Sequence, residues 1–334
     1  MPASIEDVAR AANVSTATVS RALRGLPNVS QHTRAKVQHA ATQLNYAPSR
    51  NASALASGRC RSIGIVTPAI ARWFFSSAIE GAADVLRDAG YDALLYCIPD
   101  QTTPRTRFDP DVLRQRVDAM IVASLSLSAR EMDAVRSLDI PAVFISLAQP
   151  GFGHVGIDDT LAAHQATQHL IDLGHRHIAH LGGRRSDTAP TAPTHRRRAG
   201  WRATLLAAGL EAPEAYDFAG DFSAQAGYRA TTTILADLPE VTALFAASDE
   251  MAMGAIQALH DARREPGRDL SVIGIDGHLL DDVIGLTSVE QPVRAQGGQA
   301  ARMVLDTLDD NPSPDVVLFP TTLVRRASTA PPRA

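Results

Sequence analysis

Along the first sixty residues, apolar side chains return every three or four positions in three short stretches, each opened by a serine. Ser4 precedes Ile5–Ala12, Ser15 precedes Thr16–Leu23, and Ser30 precedes Gln31–Leu44. A serine hydroxyl ahead of such a run accepts from an otherwise unpaired backbone N–H, so the pattern predicts three capped helices. Asp7, three residues after Ser4, is placed to close a capping box. Ile5, Val8, Ala9, Val14, Val19, Ala22, Val37, Ala40 and Leu44 supply one small shared core. From Arg61 onward the rhythm changes. Continuous apolar runs (Ile63–Val66, Ala93–Ile98, Ala119–Ala123, Ala142–Ile145, Ile178–Leu181, Ala243–Ala246 and Val272–Ile275) alternate with helix-like stretches. Strands apolar on both faces and separated by helices predict parallel sheets covered on both sides, enough for two doubly wound lobes.

Only Asn13-Val14-Ser15 separates the first two helices, a connection tight enough for a helix-turn-helix whose second helix can lie in a major groove. With Val19 turned inward, Thr16, Ala17, Ser20 and Arg21 fall nearer the outside. An arginine can donate two hydrogen bonds to guanine O6 and N7, and threonine and alanine methyls can touch a thymine methyl. Charge sharpens this reading. The chain carries −4 overall, yet residues 1–60 hold seven arginines and lysines against Glu6 and Asp7 alone. A basic head on an acidic body implies that only the head meets a polyanion. A three-helix module that binds protein is the competing reading, and the division of charge counts against it.

At 334 residues the chain is too long for one compact core, and 45% hydrophobic with 20% charged residues is ordinary for a globular protein. No apolar run approaches the roughly 18 residues that span a bilayer. The N-terminus lacks the basic-then-apolar layout of a secretory leader. Cys60 and Cys97 form neither a disulfide framework nor a metal-ligand spacing, so the expected location is the reducing cytoplasm. His175, His177 and His180 do not put enough ligands on one face for a metal. Gly182-Gly183-Arg184-Arg185 lacks the full glycine-rich phosphate fingerprint. No Ser–His–Asp or paired-carboxylate pattern is recognisable. The expectation is a protein that is not an enzyme and needs no cofactor.

In doubly wound sheets ligands bind beyond the carboxyl ends of the strands. The residues there are Phe74 and Phe75, Ser146, Asp158, Ser248-Asp249 and Asp276. Aromatic faces with carboxylates and hydroxyls suit a small polar ligand such as a sugar. Singly, each has an ordinary reading, and Ser248-Asp249 is equally a helix cap.

Ile5-Glu6-Asp7-Val8-Ala9-Arg10-Ala11-Ala12-Asn13-Val14-Ser15, Thr18-Val19-Ser20-Arg21-Ala22-Leu23 and Leu44-Asn45-Tyr46-Ala47-Pro48 resemble the headpiece of the lactose-repressor (LacI/GalR) family. The likeness continues through Gly64-Ile65-Val66, Leu173-Gly174-His175, Arg197-Arg198-Ala199-Gly200-Trp201, Ser248-Asp249-Glu250-Met251 and Val272-Ile273-Gly274-Ile275-Asp276. It implies an α/β protein with a three-helix helix-turn-helix headpiece (1–48), a hinge helix and linker (49–60), and a two-lobed periplasmic-binding-protein-like core (61–334). One lobe would take about 61–160 plus 291–318, the other about 161–290 plus 319–330. The implied function is a cytoplasmic homodimeric repressor on a pseudo-palindromic double-stranded operator, controlled by a small effector, a sugar or sugar derivative, between the lobes, with no membrane partner.

Residue by residue, the resemblance puts Thr16, Ala17, Ser20 and Arg21 on the base-reading helix and Asn28 at a further base or phosphate contact. Asn51–Gly58 is similar to the family's hinge helix, and Leu55 would wedge into the minor groove. That segment is far shorter than the roughly 12–15 residues an isolated helix needs, so it should fold only on DNA. Arg197 and Asp276 become the foremost effector contacts, followed by Phe222, Phe74, Ser146, Ser248 and Gln291. The chain departs from the family where sugar-binding members often have an acid (here Ser146) and an asparagine (here Ser248). The usual Asn-Pro before the two phenylalanines is Arg72-Trp73. The tail after Arg326 has no heptads, which removes the coiled-coil route to a tetramer.

Overall fold

The computed structural model describes residues 3–23, 25–46, 59–98, 108–184 and 190–333. They fall into two compact units, Met1–Arg61 and Ser62–Ala334.

The first unit is three helices: α1 (Ile5–Ala12), α2 (Thr16–Leu23) and α3 (Gln31–Gln43). All three serine caps form. Ser4 and Asp7 close the capping box, the Asp7 N–H donating to Ser4 Oγ at 3.3 Å and the Ser4 N–H to Asp7 Oδ2 at 3.0 Å. Ser15 and Ser30 accept from Thr18 and Thr33 at 3.2 and 3.1 Å. Val8, Ala9, Ala12, Val19, Ala22, Val37, Ala40 and Ala41 make the core. Leu44, expected within it, is 37% exposed. The helix ends at Gln43, and Asn45 turns into the left-handed region at φ 50°. The Asn45 N–H then bonds the Thr42 carbonyl, and the Tyr46 N–H bonds that of Ala41. This C-terminal motif lays Tyr46, rather than Leu44, against the core.

The second unit holds two six-stranded sheets. In the N-lobe the order is β11-β5-β4-β3-β1-β2, all parallel: β1 (Ser62–Thr67), β2 (Asp92–Cys97), β3 (Ala119–Ala123), β4 (Ala142–Ile145), β5 (Gly153–Ile157) and β11 (Val316–Phe319). In the C-lobe it is β12-β10-β9-β8-β6-β7: β6 (Ile178–Gly182), β7 (Asp217–Ala219), β8 (Ala243–Ala246), β9 (Ser271–Asp276), β10 (Thr287–Glu290) and β12 (Thr322–Val324). The expectation of wholly parallel sheets is corrected at one edge, where β12 pairs antiparallel with β10. The chain leaves β10 for helix Val293–Leu308 and β11 of the other lobe, and two residues after β11 it re-enters this sheet at its edge, running opposite to β10.

The helices that matter for the site are α4 (Trp73–Asp88), α5 (Ala129–Ser137), α6 (Asp159–Asp172), α7 (Pro193–Ala207), α8 (Ala224–Asp237), α9 (Asp249–Asp261), the single turn α10 (Asp281–Ile284) and α11 (Val293–Leu308). α4 and α11 pack almost backbone to backbone. A Cβ on Gly81 would stand 1.9 Å from the Arg294 carbonyl oxygen, and one on Gly297 1.9 Å from that of Ala78. Only glycine permits this approach, and it fastens α4 to the N-lobe. The C-terminal segment is sewn into the C-lobe rather than free. Ser328, 1% exposed, donates to the Val272 carbonyl at 2.6 Å and accepts from the Thr287 N–H at 2.8 Å. Among the described residues no helix is long and apolar enough to cross a membrane.

Candidate functional site

On α2 the apolar side chains Val19 and Ala22 are sealed, which forces the intervening positions outward. Thr16, Ala17 and Arg21 are exposed and Ser20 half-buried. The Arg21 carbonyl accepts from the Leu26 N–H at 3.1 Å, while its guanidinium makes no hydrogen bond or ion pair among the described residues. Asn28 is exposed between α2 and α3 with φ 70°, a left-handed conformation asparagine tolerates better than most residues. Arg34 braces this turn by donating to the Leu26 carbonyl at 3.0 Å. Leu55 and nearly all of the 49–60 linker lie outside the described residues.

In the second unit the C-lobe strand ends bring together four of the expected effector residues. Arg197, on α7 and 5% exposed, donates from Nε to Asp159 Oδ1 at 2.8 Å and from Nη1 to the Ala247 carbonyl. Beside that carbonyl, Ser248 caps α9 by accepting from the Met251 N–H at 3.3 Å. Asp276, the last residue of β9, accepts at Oδ1 from Gln291 Nε2 at 2.8 Å, and Gln291 in turn accepts from Gln296 Nε2 at 2.9 Å. Burial first, and then the Asp249 charge, push the Asp276 carboxyl up to about 8, against the pull of Arg197. Near neutral pH Asp276 therefore keeps its proton and can both donate and accept.

The remaining three stand apart from this cluster in their contacts. Phe74 packs on the N-lobe core, edge to face with Phe75 at 5.4 Å. Ser146 follows β4 with φ 72°, its N–H bonded to Val155 and its carbonyl accepting from His154 Nε2 at 3.3 Å. Phe222 adopts φ 61°, uncommon for a bulky residue, and its ring lies where a Cβ on Gly183 would come within 2.4 Å of it. Such a held conformation costs on the order of 1–3 kcal/mol and persists only where its surroundings impose it.

Four features go beyond the sequence reading, which names Asp249 and Arg72-Trp73 without their partners and Asp159 and Asp281 not at all. Asp159, 3% exposed, is the partner of Arg197; the doubled Asp158-Asp159 was its only signal. Asp249 is fully buried and accepts from the Gly277 and His278 N–H groups at 2.6 and 3.0 Å and from Ser288 Oγ at 2.7 Å. Asp281, 1% exposed, receives no hydrogen bond on either carboxyl oxygen. It faces Asp249, and burial together with that charge pushes it up to about 9, so Asp281 holds the proton and donates it to the Asp249 carboxylate. Lastly, Arg72 and Trp73 touch the opposite lobe. The Arg72 guanidinium donates to the Asp221 carbonyl, and the Trp73 N–H to Glu250 Oε1 at 3.3 Å.

His175 and His180 are structural. His175 lies between Thr242 Oγ1, Ser271 Oγ and the Ala330 carbonyl, at 2.8, 3.1 and 2.9 Å. His180 bonds Asp217 at 2.9 Å and stacks on Trp201. Among the described residues no group of three or more His, Cys, Asp or Glu could hold a metal ion.

Comparison with known proteins bears on both units. Residues 4–49 match the family described as bacterial regulatory proteins, lacI family, and residues 167–329 a periplasmic binding protein-like domain. Catabolite control protein A of Priestia megaterium is 30% identical over 335 residues, covering 98% of this chain and 100% of that one. A crystal structure of the lac repressor dimer bound to operator and the anti-inducer ONPF superposes with TM-score 0.87 at 28% identity, over 99% of this chain and 100% of that one. A complex of the transcriptional regulator CelR with cellobiose does so with TM-score 0.71 at 28% identity, over 98% and 99%.

Proposed function

Since the chain belongs to the lacI family of bacterial regulatory proteins, we propose that it is a cytoplasmic homodimeric repressor whose hold on a pseudo-palindromic operator is set by a sugar-like effector between its two lobes. The observation that carries this reading is the outer face of α2, where Thr16, Ala17 and Arg21 stand exposed over a sealed core. Arg21 reads guanine, Thr16 and Ala17 meet thymine methyls, and Asn28 binds an adjoining base or phosphate. Leu55 enters the minor groove at the operator centre.

The effector reading is supported by the chemistry at the C-lobe strand ends. Arg197, Asp276 and Gln291 offer a guanidinium, an acid and an amide to hydroxyl groups, and Ser248 sits beside them. Phe74, Ser146 and Phe222 supply aromatic faces and a hydroxyl. The cellobiose carried by CelR favours a carbohydrate here. For the homodimer, Leu279, Leu280, Val283 and Ile284 are 73, 45, 78 and 38% exposed on one short segment at α10, an apolar patch that a second copy would cover. Binding between the lobes changes their orientation, and the 49–60 linker passes that change to the operator contact. The coupling is of the order of 1–3 kcal/mol and reciprocal, so operator DNA alters effector affinity by the same factor.

Fluorescence anisotropy with DNA from upstream of the gene and its neighbours, while sugars and sugar phosphates are titrated in, tests the proposal. Salt-sensitive, sequence-selective binding that one metabolite weakens or strengthens supports it and gives the sign. Selective binding indifferent to every ligand would overturn the effector half, and turnover of a ligand would overturn the non-enzymatic reading.

A further inference from the structure

The first residues of α4 cross from the N-lobe to the C-lobe at three points. Arg72 occupies the N-cap position but gives the helix no side-chain cap. Its guanidinium instead donates to the Asp221 carbonyl of the other lobe. The Trp73 N–H, one of the donors a helix start leaves unpaired, is taken by Glu250 Oε1 at 3.3 Å. The Trp73 indole lies 5.2 Å from the His278 imidazole, tilted by 45°.

Both sides of this contact are stiff. α4 is bound backbone to backbone on α11 through Gly81 and Gly297. On the C-lobe side, the His278 N–H is held by Asp249, which also ties down Gly277 and Ser288. Asp221 is fixed by its own carboxylate, which accepts from the Ser223 N–H at 3.1 Å and from the Ser223 hydroxyl. Glu250 is the second residue of α9, whose start is capped by Ser248.

We propose that Arg72 and Trp73 form a latch that holds the two lobes together without any effector, so that the Trp73–His278 and Trp73–Glu250 contacts must part before a ligand can pass between the lobes. The latch deepens the effector reading above and rests on it for its purpose, though not for its existence. A net hydrogen bond is worth a factor of roughly 2–10 in the closed-to-open ratio. A latch of this kind sets how much of the protein is closed before ligand arrives, and apparent ligand affinity scales with the competent fraction.

The chain reports on its own latch. Trp73 and Trp201 are its two tryptophans, and Trp201 is sealed in the C-lobe core at 1% exposure. Subtracting the emission of Trp73→Phe from that of the wild-type full chain isolates Trp73, with neither DNA nor ligand present. The latch predicts that acrylamide quenches Trp73 poorly. In Arg72→Ala/His278→Ala its quenching constant should rise at least roughly twofold, while the Trp201 emission, read in the matching Trp73→Phe background, stays unchanged and certifies the fold. Glu250→Gln, which leaves the packing in place, should give a smaller rise. Wild-type Trp73 quenched as freely as in the double variant overturns the latch, as does a fully folded double variant with unaltered quenching. Failure of operator or effector binding leaves this readout untouched, so the two proposals fail separately.

Discussion

Removing the Arg197 side chain should do more than weaken a ligand. The guanidinium is 5% exposed and its partner Asp159 is 3% exposed, with Nε and Oδ1 2.8 Å apart. Arg197→Ala leaves the Asp159 carboxylate buried opposite no cation and deprives the Ala247 carbonyl of its donor. Breaking one half of a buried pair costs about 3–5 kcal/mol, because the surviving charge stays desolvated. Removing both halves costs far less. The single variant should therefore lose about 3–5 kcal/mol in the urea unfolding of the second unit, and Asp159→Ala in the same chain should restore more than half of that. Urea titrations of the wild type, the two singles and the double give the coupling directly. A loss below about 1 kcal/mol in Arg197→Ala, or strictly additive singles, would refute the view that this pair holds α6 to α7. The cycle also bears on effector data, since an Arg197 variant that binds no ligand is informative only once its folded fraction is known.

Other perturbations have defined outcomes. Arg21→Ala should cost about 1–3 kcal/mol of operator affinity and relax base preference at one position per half-site, read by competition with operator variants; equal losses on every sequence would reduce Arg21 to a phosphate contact. Val283→Asp should drive the dimer to monomer in sedimentation and weaken operator binding without lowering thermal stability; an intact dimer would remove the α10 patch from the interface. Asp281 and Asp276 keep their protons in the fold up to about 9 and about 8, against 3.8 for the ordinary carboxyl. The native state therefore binds more protons than the unfolded chain across that window, and these two groups make stability fall as pH rises through it. Asp281→Asn donates to Asp249 without carrying a titrating proton. Its unfolding free energy should decline less between pH 6 and pH 9 than that of the wild type, and an identical decline would contradict the shared-proton geometry.

Much of this fold is legible from local chemistry. Ser4, Ser15 and Ser30 mark their helix starts because caps act within three residues. β3, β4 and β8 match their apolar runs because both faces of each strand are buried. Legibility ends where burial and composition part. β10 begins with Thr287 and Ser288, both wholly buried, and shows no apolar run. β11 lies at a sheet edge with Val316 and Leu318 more than half exposed, and β7 and β12 have three residues each. At the site, the residue types at the strand ends signal a polar ligand, yet their partners do not appear in any local pattern. Asp249 meets Ser288 39 positions away, and Trp73 meets Glu250 177 positions away. Arg72-Trp73 stands out in the sequence only as a departure from the family's Asn-Pro. What it contacts depends on two lobes that the chain leaves and re-enters at Asp158, Gln291 and Thr321.

Footprinting of the purified full chain on DNA from its own genome, with and without a metabolite panel, tests the central claim most directly. The account predicts protection of two half-sites related by a two-fold axis, a hypersensitive step between them where Leu55 wedges the duplex, and protection that one carbohydrate-like metabolite shifts. Protection of unrelated sequences without two-fold symmetry, or a two-fold footprint that no metabolite moves, would contradict it.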